Sequence, residues 1–119
     1  MALEKKTGIK RLTTSIKNSL DGLVDALLTE NAFRELFIIS SAFVVIALFL
    51  DVTKMERLIL ISSCFFLLVV ELLNTAIETV VDRISFELHP LSKRAKDIGG
   101  AAQLVAIVMT IIIWLTILL

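Results

Sequence analysis

Glu71, Asn74, Glu78 and Asp82 recur at intervals of three and four within a run that is otherwise apolar. At about 100° per residue they fall at roughly 0°, 300°, 340° and 20°, a stripe about 80° wide on one helix face. Carboxylates inside a membrane span are costly unless they face a partner, a metal or water, so such a stripe reads as a functional site. Its chemistry is that of oxygen ligands and proton acceptors: a base, an amide to orient it, and a carboxylate able to hold a hard cation. A structural network of interhelical hydrogen bonds is the alternative.

Two further groups of residues belong to the same chemistry. Glu30 precedes the first apolar run, at the level where the stripe reaches Glu78, and two carboxylates at one level can chelate Mg²⁺ together with water and substrate phosphates. The competing reading pairs Glu30 with Arg34 at i+4. Downstream, Arg94, Lys96 and Asp97 precede Gly99 and Gly100. Basic side chains beside a glycine pair at a helix start favour a bound polyphosphate. Neither GxxxxGK[ST] nor GxGxxG occurs, so a nucleotide would bind outside the familiar loops. Cys64, the one cysteine, lies in an apolar run and reads as packing. His89 is stiffened by Pro90 behind it and reads first as a solvated loop histidine.

The elements that carry these groups follow from composition. The chain has 119 residues, 57% of them hydrophobic, with a mean hydropathy of +0.92. That is an integral membrane protein, all-α, and too short for a separate nucleotide-binding domain. Three apolar stretches, 30–50, 57–81 and 98–119, are long enough to cross a hydrocarbon layer about 30 Å thick. Before them, in 1–29, Ile9, Leu12, Ile16, Leu20, Leu23 and Leu27 recur at helical spacing against a charged face, the pattern of an amphipathic helix lying in the membrane interface. Gly8 and Gly22 are candidate breaks in it.

Twelve Lys plus Arg balance twelve Asp plus Glu, so no bulk basic field points to nucleic acid. Lys5, Lys6, Lys10, Arg11, Lys17 and Arg34 precede the first span, and Arg83, Lys93, Arg94 and Lys96 fill 83–97, against only Lys54 and Arg57 in the other turn. The N-terminus and the 83–97 loop are therefore expected in the cytoplasm. Glu71 then lies about 20 Å along the second span and Glu78 about 30 Å, near the cytoplasmic boundary. Trp114 is expected at the outer interface, where indoles prefer to sit. A proton or cation pathway lined by Glu71, Glu78 and Asp82 is the non-enzymatic rival, but Leu58 to Val70 offers only Ser62 and Ser63 as polar residues. The seam is one-sided, which favours an interfacial active site over a pore.

The run Glu71-Leu72-Leu73-Asn74-Thr75-Ala76-Ile77-Glu78-Thr79-Val80-Val81-Asp82-Arg83, with His89 and Ser92-Lys93-Arg94-Ala95-Lys96-Asp97-Ile98-Gly99 after it, resembles the signature of the small prokaryotic diacylglycerol kinases. Glu30-Asn31-Ala32-Phe33-Arg34 and Leu50-Asp51-Val52 extend the resemblance over nearly the whole chain. The Asp82-Arg83 ending is more like the Gram-negative diacylglycerol enzymes than the related undecaprenol kinases, which are the alternative. The resemblance implies a homotrimeric helical bundle in the bacterial inner membrane, with active sites shared between subunits. It also implies Mg²⁺-dependent transfer of the γ-phosphate of ATP to diacylglycerol, giving phosphatidic acid. Carried over residue by residue, Glu71 matches the general base and Asn74 its polar partner, with Glu30 and Glu78 the metal ligands. Arg11, Asn18, Glu30, Glu78, Glu87, His89, Lys96 and Asp97 match ATP contacts. Arg11, Ser15, Ser19, Phe33, Arg34, Glu35, Phe49, Asp51, Glu71, Gly100 and Trp114 match lipid-substrate contacts. Gly100 stands where a serine is common, and Leu36 where a further carboxylate is expected.

Overall fold

The structure, a computed structural model, describes residues 7–119. Lys5, Lys6 and the start of the expected 1–29 helix lie outside the described residues. Four helices follow one another: α1 (Gly8–Thr29), α2 (Asn31–Phe49), α3 (Lys54–Ile84) and α4 (Pro90–Leu118). No strand occurs among the described residues. The last three are long and apolar enough to cross a membrane, as expected of an all-α membrane protein. The chain packs as two units, one ending at Arg34 and one running from Glu35 to Leu119.

In the first unit, α1 runs unbroken through Gly22, so the expected break does not occur. A Cβ at Gly22 would meet nothing. The α1 carbonyls at its end are left without intrahelical donors, and Arg34 supplies them: its Nε donates to Leu27 O at 2.9 Å and its Nη2 to Leu28 O at 2.8 Å, while Nη1 donates to Asn31 Oδ1 at 3.2 Å. A cation at a helix C-terminus is favoured by the dipole as well as by the hydrogen bonds. Among the described residues Arg34 therefore makes no ion pair with Glu30, the C-cap residue it flanks.

The second unit is organised by α3 and α4, which pack antiparallel across the short connection at 85–89. Thr53 and Glu56 form a capping box at the start of α3, the Thr53 hydroxyl accepting from Glu56 N at 3.2 Å and the Glu56 carboxylate accepting from Thr53 N at 3.0 Å. At 31 residues α3 is about 46 Å long, well beyond the hydrocarbon thickness, and its C-terminal turns carry Glu78 and Asp82. The expectation of a loop over 83–97 is corrected. Pro90 occupies the first turn of α4 and His89 caps it, Nδ1 accepting from Leu91 N at 3.1 Å. Lys93, Arg94, Lys96 and Asp97 are thus helical, and Gly99–Gly100 sits inside α4 rather than at its start.

Packing at the opposite end explains two residues that read differently in sequence. Trp114, read only for its depth, is buried with Ala47, Leu60 and Cys64, and Phe43 meets it edge-on with ring centroids 5.0 Å apart. Its Nε1–H donates to Ser63 Oγ at 3.0 Å, and Ser63 in turn donates to Leu60 O at 2.6 Å, so the Ser63 hydroxyl of α3 is spent on packing. Arg57 is likewise more than a counted charge. Its Nη1 reaches Ala47 O at 2.8 Å, Leu48 O at 2.9 Å and Leu50 O at 3.1 Å, and Nη2 reaches Val52 O at 3.3 Å. The guanidinium closes the C-terminus of α2. Arg57→Ala should cost about 2–3 kcal/mol, because several carbonyls lose their donor at once. An unchanged thermal midpoint in detergent would show that water replaces the guanidinium.

Ala95, Gly99, Ala102 and Ala106 put small residues at spacings that let helices approach closely, and the structure uses that stripe selectively. Gly99 and Ala106 are buried, Ala95 is half-buried and Ala102 exposed. Ala106→Leu should destabilise by about 1–3 kcal/mol through overpacking, read as a lower midpoint with oligomeric state followed in parallel.

Candidate functional site

The C-terminal turns of α3 place Asn74, Glu78 and Asp82 on one stripe, as their spacing requires. Asn74 Nδ2 donates to Glu78 Oε1 at 3.1 Å, one turn along the helix. That contact fixes one carboxylate oxygen of Glu78 and leaves an exposed carboxylate for a ligand. Glu71, one turn before Asn74, is half-buried. A half-buried carboxylate is thereby adjacent to a polar, solvent-facing end.

Asp82 continues the stripe and ties it to α4. Its Oδ1 accepts from Lys96 Nζ at 2.7 Å, with both side chains about two-fifths exposed. One turn outward on α4, Lys93 Nζ donates to Asp97 Oδ2 at 2.5 Å. A cavity of about 260 Å³ opens between these pairs and the connection, lined by Asp82, Ser85, Phe86, Glu87, His89, Ser92, Lys93, Lys96 and Asp97. Four residues expected from sequence to touch a nucleotide, Glu87, His89, Lys96 and Asp97, therefore share one concavity. Its volume is below the ~300–1,000 Å³ of an enclosing small-molecule pocket, so it suits an anionic tail more than a whole nucleotide. His89 uses Nδ1 as the helix cap, which leaves Nε2–H as the donor it can offer.

Among the described residues no cluster of three or more His, Cys, Asp or Glu forms. Mg²⁺ does not require one, since it is commonly held by one or two carboxylates with substrate phosphates and water completing the octahedron. The Glu78 carboxylate, oriented by Asn74 and exposed, fits that mode.

The other expected residues lie elsewhere. Arg11, Ser15, Asn18 and Ser19 are all exposed on α1, at offsets that share one face. Phe33 is buried at 1% exposure and Arg34 forms the α1 clamp, whereas Glu35 is exposed. Phe49 and Asp51 flank the α2–α3 turn, about 26 Å of helix rise from Glu71 within one chain. Trp114 lines an apolar cavity of about 280 Å³ with Leu36, Phe43, Leu67 and Ile111. Gly100 is exposed and a Cβ there would meet nothing, but at Gly99 a Cβ would collide with Asn74 Oδ1. The small-residue spacing of α4 signals close helix approach at Gly99; that Asn74 is the residue met there is a tertiary fact.

The family model for prokaryotic diacylglycerol kinase matches residues 17–118 of this chain. The chain belongs to the prokaryotic diacylglycerol kinase family. It is 47% identical to the diacylglycerol kinase of Pseudomonas aeruginosa over 114 residues, 96% of this chain and 93% of that one. The diacylglycerol kinase of Escherichia coli is 47% identical over 108 residues, covering 91% and 88% of the two chains. That of Helicobacter pylori is 42% identical over 110 residues, covering 92% and 86%.

Proposed function

We propose that this chain transfers the γ-phosphoryl group of ATP to the free hydroxyl of diacylglycerol, producing phosphatidic acid at the cytoplasmic boundary of the bacterial inner membrane. The observation that carries the reading is the gradation along one face of α3. Half-buried Glu71 comes first, then the Asn74–Glu78 pair, then Asp82 bound to Lys96 beside a cavity that the charged side chains of Glu87, Lys93 and Asp97 also line. A lipid hydroxyl approaches from the apolar side and a polyphosphate from water, and the two meet where the helix face changes character.

In this reading Glu71 accepts the hydroxyl proton as the lipid oxygen forms its bond to the γ-phosphorus. The bond from that phosphorus to the β–γ bridging oxygen breaks, and ADP leaves. Lys96, Asp97, Glu87 and His89 hold the nucleotide, joined by Arg11 and Asn18 of the surface helix. Glu78 would hold Mg²⁺, with Glu30 the second carboxylate that the family resemblance assigns to it, and the ion would neutralise phosphate charge. Catalysis of this kind rests on positioning and charge rather than covalent chemistry. Arg11, Ser15, Ser19, Phe33, Arg34, Glu35, Phe49, Asp51, Gly100 and Trp114 are assigned to the lipid, with the apolar cavity beside Trp114 suited to an acyl chain. Residues as far apart as Asp51 and Glu71 serve one lipid most simply if sites are composed from neighbouring subunits of a homotrimer.

Purified protein in mixed micelles, given labelled ATP, Mg²⁺ and either diacylglycerol or undecaprenol, tests the substrate directly. Label should appear in phosphatidic acid. Label confined to undecaprenyl phosphate would move the chain to the related kinase, and unlabelled lipid in both arms would remove the enzymatic reading.

A further inference from the structure

We infer that Gly99 is a positioning residue for the metal-binding carboxylate of this site, acting across the α3–α4 interface through the amide of Asn74. Asn74 Oδ1 is buried and, among the described residues, accepts no N–H or O–H hydrogen bond. It lies against Gly99, in the direction where any other residue would carry its Cβ. A Cα–H bond of the glycine points along that direction, so the orphaned oxygen faces a weak donor of the type common between closely packed helices. Gly99 is itself buried, and its neighbour Gly100 has open space at the same position. The requirement for a missing side chain is therefore specific to one of the pair.

The amide has two ends, and the consequence lies at the other. With Oδ1 seated on Gly99, Nδ2 is directed at Glu78 Oε1, 3.1 Å away. Reversing the amide would put Nδ2 against a C–H and two acceptors, amide oxygen and carboxylate, against each other. The glycine thus selects which way Asn74 points, and Asn74 fixes the rotamer of Glu78. Partners of this kind, one step removed from a metal, typically change affinity by about 10–100-fold when lost. Glu78 as a Mg²⁺ ligand is the reading on which this rests.

The experiment measures binding of Mn²⁺, a paramagnetic substitute for Mg²⁺, to the full-length protein in micelles with a non-hydrolysable ATP analogue, alongside thermal midpoints. Gly99→Ala should weaken Mn²⁺ binding about tenfold and lower the midpoint. Asn74→Ala should weaken Mn²⁺ similarly, and adding Gly99→Ala to it should weaken binding no further. The double variant should also regain the midpoint lost in Gly99→Ala, since the colliding amide is gone. Gly22→Ala, where the added methyl meets nothing, should leave Mn²⁺ affinity unchanged. Unaltered affinity in Gly99→Ala, or effects of Gly99→Ala and Asn74→Ala that multiply in the double variant, would overturn the coupling. If Gly99→Ala does not assemble, an assembled double variant with the affinity of Asn74→Ala supports it, and a double variant that also fails overturns it. Glu78→Gln separates the two ideas: unchanged Mn²⁺ affinity there removes Glu78 as a ligand, whereas recovery of the midpoint in the double variant still reports the Gly99–Asn74 contact.

Discussion

Glu71→Gln should reduce phosphoryl transfer by about 10²–10⁴-fold, the usual contribution of a positioned general base, while leaving the helices and their assembly intact. The amide has nearly the shape of the carboxylate but accepts no proton at neutral pH. Half-burial at Glu71 gives the loss a particular form. In the proposed reading the nucleotide is held by Lys96 and Asp97, in the cavity that Asp82 and Lys93 also line, so KM for ATP should change little and the deficit should fall on kcat. A variant that keeps more than about a tenth of the parental kcat would exclude the general-base role. A variant with normal kcat and a raised KM for ATP would instead place Glu71 among the nucleotide contacts.

The parts of this fold that hydropathy can report were legible before the structure. Three apolar runs became α2, α3 and α4 because crossing a membrane demands about twenty apolar residues and satisfied backbone groups, and helices meet both demands. Hydropathy reports contact with lipid, however, and not where a helix ends. The first turns of α4 carry Lys93, Arg94, Lys96 and Asp97 and so looked like loop; the decisive signals were His89 and Pro90, a cap and an N-terminal proline. Reading the helix from position 90 changes the site, since it puts Lys96 and Asp97 at fixed offsets from Gly99 and turns a flexible basic loop into a rigid face.

Within the site, the face of α3 that carries Glu71, Asn74, Glu78 and Asp82 followed from helical period alone. What could not be read were contacts between residues distant in sequence. Arg57 and Arg34 were positive charges to be counted for orientation, yet each long side chain bends back to close the preceding helix. Ser63 was a lone hydroxyl in a span until Trp114, 51 positions later, donated to it. Asp82 bonded to Lys96 belongs to the same class: both residues stood out individually, and only packing of α3 on α4 pairs them.

That pair carries the second large effect. Lys96→Met should lower kcat/KM for ATP by about 10–100-fold, the equivalent of one hydrogen bond between an ammonium group and an anion. Methionine keeps much of the apolar stem, so the change isolates the charge. The structure holds the ammonium on Asp82, which makes Asp82→Asn a test with the opposite sign. An exposed ion pair is worth about 0.2–1 kcal/mol, so freeing Lys96 from its carboxylate should lower KM for ATP by at most about fivefold. If Lys96 reaches the phosphates, the two substitutions move KM in opposite directions, and in the Lys96→Met background Asp82→Asn loses its benefit. If both substitutions raise KM alike, the bond between them is a brace that joins α3 to α4, and the phosphates are held by other groups in the cavity.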